Sequence, residues 1–149
     1  MAQTSTAVNA CDVVLKIDNT AGTLTDISGS SNQCTMDFSR QVAEVFTFDG
    51  DWSIKKSCKS GVTISVQVLY STTADEGRDL LEDWIFDTPT TSRTVRVDVP
   101  DSDVGGVRYE GEFVIESYNL PLSAEDAGVI ICSANLSNDG TFTRDAISS

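Results

Sequence analysis

Apolar and polar residues alternate over most of this chain, with the period of strands that bury one face. The clearest run is Val62 to Tyr70, where Val62, Ile64, Val66, Val68 and Tyr70 interleave with Thr63, Ser65, Gln67 and Leu69. The same period predicts strands over 12–18 (Val13, Leu15, Ile17), 33–38 (Cys34, Met36, Phe38), 93–99 (Val95, Val97, Val99), 107–118 (Tyr109, Gly111, Phe113, Ile115) and 129–136. Of these, 107–118 is expected to be the longest. Shorter pieces fall at 23–27 and 141–144, and turn formers punctuate the runs, among them residues 19–22, 28–32, 100–106 and Asn138-Asp-Gly140. The period changes once. Leu80, Leu81, Trp84 and Ile85 share a stripe at helical spacing. Ahead of them Thr73-Ala-Asp-Glu76 reads as a capping box, and Asp87-Thr-Pro89 ends the element. The pattern therefore predicts a mainly β domain, a β-sandwich or barrel, with one flanking α-helix over about residues 74–86.

Residues 38–60 break the rhythm. Glu44-Val-Phe-Thr-Phe48 carries aromatic residues at alternate positions, Asp49-Gly50-Asp51 signals a tight turn, and Trp52 to Cys58 is too sparsely apolar for a packed strand. A hairpin arm projecting beyond the core is expected, with Phe46, Phe48, Asp49, Trp52, Lys55 and Lys56 as its candidate contact residues. Residues 1–10 are small and polar and are expected to be mobile or loosely docked.

Length and charge narrow the function. The 149 residues fit one domain, 1–149, large enough to bury a core. The net charge of −13 disfavours nucleic-acid binding, which needs cations to displace counterions from phosphates. The chain has no histidine, which removes the usual general base and the commonest metal ligand together. No P-loop, G-x-S-x-G or G-x-G-x-x-G motif is present, so an enzyme and a cofactor are not expected. Cys11, Cys34, Cys58 and Cys132 form no C-x-x-C pair; two disulfides are conceivable, and reduced, mostly buried cysteines are the preferred expectation. The start of the chain has no basic-then-apolar leader pattern, and no span long enough for membrane insertion is seen.

Three polar patterns remain. Asp101, Asp103 and Glu112 fall near the spacing of a calcium-binding loop, but Gly105 and Arg108 stand at wrong positions and the flanks read as strands, which favours a plain turn. Asn135-Leu-Ser137 matches a glycosylation sequon without a secretory context. Glu110, Glu112 and Glu116 share one face of a strand, and Glu44 and Asp98 hold similar places elsewhere. These five are candidate acidic residues of a lumen or a subunit seam; the plainer reading is a solvated strand face.

The order of these elements resembles the major tail tube proteins of long, non-contractile-tailed phages. The resemblance rests on Asp26-Ile-Ser-Gly29, Met36-Asp-Phe-Ser39, Phe48-Asp-Gly-Asp-Trp52, the strand–helix pair from Thr63 to Trp84, Val99-Pro100, Tyr109-Glu-Gly-Glu112 and Leu136-Ser-Asn-Asp-Gly140. It covers nearly the whole chain. It implies a subunit that closes into hexameric rings, which stack into a tube and join strands around a lumen that DNA traverses without being held. It also implies partners among tape measure, terminator and tip proteins, and a place in the virion tail after synthesis in the bacterial host cytoplasm. Tubes of gene transfer agents, tailocins and secretion systems share the pattern. A reading from another class is a calcium- or carbohydrate-binding β-sandwich domain of a surface adhesin.

Overall fold

In the computed structural model, residues 10–99, 106–122 and 128–147 are described. Seven strands form one antiparallel sheet: β1 (Val14–Asp18), β2 (Leu24–Asp26), β3 (Ser31–Val45), β4 (Ile54–Leu69), β5 (Arg93–Val99), β6 (Val107–Asn119) and β7 (Ile131–Ala146). The one α-helix among the described residues, α1 (Gly77–Asp87), lies between β4 and β5 in the chain. In space the strand order is β2-β1-β5-β6-β7-β4-β3. The mainly β fold with one flanking helix is thus as expected.

The sheet is curled, and the connectivity requires it. β2 and β3 are the two edge strands, yet only Ile27 to Ser30 separate them in sequence. A flat sheet of this width would place its edges about 29 Å apart at ~4.8 Å per strand, whereas the five steps from Asp26 to Ser31 span at most about 18 Å. The edges therefore bend toward each other around α1. A recess of about 290 Å3 lined by Val13, Leu15, Ser28 and Cys34 marks where they approach.

The concave face holds the core. Leu15 and Ile17 from β1, Val62, Ile64, Val66 and Val68 from β4, Val95 and Val97 from β5, Phe113 from β6 and Leu136 from β7 are all buried against Leu80, Leu81 and Trp84 of α1. Burying a side chain such as Leu80 or Leu81 is worth roughly 1.5–3 kcal/mol, which anchors the helix. Ile85 completes the stripe from a half-buried position, as its spacing predicts. Tyr70 does not join the core: it lies one residue past β4, and the Arg78 guanidinium stacks over its ring at 5.2 Å.

The helix begins differently from its sequence reading. It starts at Gly77, and Thr73 and Glu76 form no capping box. Asp75 takes a left-handed conformation, φ 62°, which breaks the geometry a capping box needs. Its place is filled from elsewhere. The buried Ser30 Oγ accepts from the Gly77 amide at 3.0 Å, and Asp79 Oδ2 accepts from the Asp75 amide at 3.0 Å. At the far end Arg93 is buried, donating to the Leu80 and Asp18 carbonyls and to Thr88 Oγ1, with its guanidinium 5.4 Å from the Trp84 ring.

Two strand expectations change. β6, at 13 residues, is shorter than β3, β4 and β7, because the arm lengthens two of these and β7 does not stop at Leu136. Asn138-Asp-Gly140 is a bulge inside a continuous strand and not a turn, with Gly140 at φ 103° and a register shift opposite Gly111 and Phe113. At this bulge the sheet forks. β7 pairs with β4 as far as Ser137↔Thr63 and continues beside β6 alone, while β4 continues beside β3 alone. Asn138 closes the crotch, accepting from the Val62 amide at 2.9 Å and donating to the Gly140 carbonyl at 3.1 Å.

Candidate functional site

With no catalytic constellation in the sequence, the functional surfaces are the faces and edges that the core leaves open. The convex face of β3, β4, β7 and β6 is the first. Strand register sets its residues in three rows: Gln33, Gln67, Ser133 and Asn119; then Thr35, Ser65, Asn135 and Ser117; then Asp37, Thr63, Ser137 and Val114. Hydroxyl and amide groups dominate, Asp37 is the single charge in the rows, and no cation appears in them. The middle row is stitched across strands, Ser65 Oγ donating to Asn135 Oδ1 at 2.8 Å and Asn135 Nδ2 donating to Ser117 Oγ at 3.0 Å. In the sequence these residues are only the polar half of each alternation. Their assembly into rows depends on register, which no local pattern gives.

The candidate acidic residues divide. Glu116 lies in a bulge of β6 and bonds the Ser137 hydroxyl, at the margin of the rows. Glu112 bonds Thr94 Oγ1. Glu110 is paired with Arg96 at 2.6 Å, and Asp98 is only 2% exposed and paired with Arg108 at 2.8 Å. These arginines, opposite the acids on neighbouring strands, neutralise them. Glu44 stands apart on the arm, opposite Lys55. The acids therefore do not form one wall. The face is polar, sparsely acidic and free of cations in its rows.

The edges are the second surface. β3 pairs only with β4, so its outer edge is open along the strand. β6 is paired with β5 only as far as Phe113↔Arg93, leaving Val114 to Asn119 open on that side. These two edges flank the same four strands, β3-β4-β7-β6.

The arm is the third. Beyond the fork β3 and β4 continue as a two-stranded ladder to Val45↔Ile54, and Phe46 to Ser53 make the tip. Phe46, Phe48 and Trp52 are 78%, 110% and 86% exposed. Arg40, Lys55, Lys56 and Lys59 place four of the ten cations of the chain here. Asp49 and Asp51 flank the tip glycine.

The remaining candidates add no chemistry. Asp101 and Asp103 lie outside the described residues, and among the described residues no group of three or more His, Cys, Asp or Glu could hold a metal. No disulfide joins the four cysteines; Cys132 is buried and Cys34 half-buried, but Cys11 and Cys58 are exposed because they lie at the start of the fold and on the arm. Burial pushes the Cys34 thiol up to about 11. Among the described residues no helix is long and apolar enough to cross a membrane.

Comparison with known proteins agrees with this arrangement. The family model for phage tail tube proteins matches residues 7–146. No protein of curated function matches the chain. Among solved structures, the tail of an empty gene transfer agent particle, refined with C6 symmetry, is similar with a TM-score of 0.72 at 18% identity over 94% of this chain and 100% of that one. The SPP1 tail tube is similar with a TM-score of 0.74 at 14% identity over 94% and 80%. A subunit of the sheath–tube complex of an extracellular contractile injection system is similar with a TM-score of 0.71 at 13% identity over 96% and 94%. At these identities the likeness speaks for the fold.

Proposed function

This chain belongs to the phage tail tube protein family, and on that premise we propose that it polymerises as stacked hexameric rings into a tail tube that conducts DNA to the host. The chain is a structural virion protein, not an enzyme. The observation that carries the assembly reading is the pair of open edges, β3 and residues 114–119 of β6, on opposite sides of one four-stranded set. An open edge is an aggregation hazard in a monomer and a joint in a polymer. Edge-to-edge pairing of successive copies extends the four strands into a closed barrel. Six copies suit it, as the six-fold gene transfer agent tail supports.

In such a barrel the three polar rows face the bore. Phosphates need cations to bind, and the rows offer hydroxyls, amides and Asp37, with Glu112 and Glu116 beside them. The lumen is thus weakly negative and slippery, and DNA passes without being held. The arm reaches the adjacent subunit or ring, a heterologous contact that repeats along an axis and lets a filament grow. Tape measure, terminator and tip proteins are the expected partners; similar folds occur in a tube-terminating cap and a sheath–tube terminator. The subunit is made in the host cytoplasm and ends in the virion tail without inserting in a membrane.

Negative-stain microscopy of the purified chain, dilute and concentrated, tests this together with hydrogen exchange. Hollow tubes with six-fold end views are expected, with amides of residues 31–45 and 114–119 gaining protection on assembly. Tubes in which both edges exchange as in the free subunit would show that another surface joins the copies.

A further inference from the structure

At the fork, the concave face continues past the end of the core into an aromatic notch. Phe38, the first β3 residue past the fork, has its ring centroid 5.5 Å from Phe142 and 6.1 Å from Tyr109. Phe142 meets Phe113 edge-on at 5.9 Å and thereby ties the notch to the core. Gly111 makes the room: a Cβ there would come 2.8 Å from Phe142 Cδ2. Phe38, Tyr109, Phe142 and Arg144 line a recess of about 330 Å3, and Phe38 is 57% exposed although it packs against two aromatic rings. A half-covered aromatic cluster on a soluble surface marks an interaction site.

We propose that this notch is the socket for the arm tip of another copy of the chain, receiving Phe48 with Asp49 and Asp51 facing Arg144. The inference rests on the reading of the chain as a tube subunit and adds where the arm docks. Charge complementarity selects the occupant. Among the described body cations Arg78, Arg96 and Arg108 are held in ion pairs and Arg93 is buried, whereas Lys16 and Arg144 are in no ion pair, and of these two only Arg144 lines the aromatic recess. The tip offers what such a rim lacks, exposed aromatic rings beside the carboxylates of Asp49 and Asp51. The tip cannot fill its own notch. From Phe38 the paired ladder runs to Val45, about 23 Å at ~3.3 Å per residue, so the tip is held away from the fork that bears it. Tip and socket lie at opposite ends of one paired hairpin, and their union is a head-to-tail contact between copies.

The full chain with Cys11→Ser and Cys58→Ser, plus Phe48→Cys and Arg144→Cys, tests the contact with a short bis-maleimide. Covalent oligomers are expected from assembled tubes and none from dilute subunits. Tubes without cross-linked oligomers overturn the socket and leave the tube reading standing; a wild-type chain that forms no tubes at any concentration overturns both. If the paired-cysteine chain does not assemble, charge exchange decides. Arg144→Glu is expected to lose tubes at an unchanged melting temperature, and Asp49→Arg with Asp51→Arg in the same chain to restore them. Undiminished tubes from Arg144→Glu alone, or no restoration, overturn the proposal.

Discussion

Asn138 Oδ1 accepts a hydrogen bond from the Val62 amide at 2.9 Å, where β4 and β7 part. The bond replaces the ladder partner that Val62 loses at the fork. Truncation to Ala leaves a part-buried amide without an acceptor, at a cost of ~1–3 kcal/mol. Asn138→Ala is therefore expected to lower the denaturation midpoint and to speed hydrogen exchange at Val62 and the adjoining arm amides. Unchanged exchange at Val62 would mean that water or backbone takes over the role.

Gly77 begins α1 against β4, and a Cβ there would stand 2.7 Å from Val68 Cγ1 and 3.1 Å from Ser30 Oγ. Gly77→Ala is expected to cost ~1–3 kcal/mol by overpacking, although alanine favours helices in general. Gly29, where a Cβ would meet nothing within 4 Å, is the control: Gly29→Ala should shift stability by no more than ~0.5 kcal/mol. Paired urea titrations measure both.

Asp83 on α1 has its carboxyl raised above the ordinary value, first by burial and then by Asp79 and Asp87 on the same helix. The folded state therefore holds this proton more tightly than the unfolded chain. The consequence is a destabilisation that sets in as pH rises through the window between the unfolded and folded values and is fully present above it. Asp83→Asn is expected to raise the melting temperature at pH 7 and to give no gain below about pH 3, where the carboxyl is protonated in both states. An equal gain at both pH values would point to a cause other than ionisation.

Thiol labelling separates the arm from the core. Cys58 on the arm is exposed, while burial raises the Cys34 thiol to about 11 and keeps its thiolate scarce near neutrality. In the free subunit Cys58 should react quickly with a maleimide and Cys34 slowly. In assembled tubes Cys58 should become protected if the arm docks on a neighbour. Equal labelling of Cys58 in both states would place it outside the contact.

What the sequence made legible follows the range of each interaction. Alternation at Val62–Val68 and Val95–Val99 and the Leu80–Trp84 stripe report burial one residue at a time, so they locate strands and helix. Residues whose fate depends on a distant partner read differently in the sequence and in the fold. Thr73 has the chemistry of a cap, but Ser30 supplies that oxygen from another element. Asn138-Asp-Gly140 has turn chemistry, and only the continued pairing of β7 with β6 shows it to be a bulge. Asp98 has the pattern of a surface acid until the register places Arg108 across from it. The arm is legible for the opposite reason, since residues 39–60 lack the apolar content that any packed strand needs.

The fork also gives the subunit two mechanical characters. Tension on the arm tip draws β3 and β4 together and loads the β4–β7 hydrogen bonds in shear, all of them together, from Thr63↔Ser137 to Leu69↔Ile131. A sideways push meets less resistance, because beyond Ser137 nothing in β7 pairs with β4 and only the Asn138 bond and the packing of Phe38 on Phe142 and Tyr109 bridge the joint. The arm is a tether that is stiff when pulled and compliant when bent. A filament linked by such tethers keeps its length under load while its axis curves.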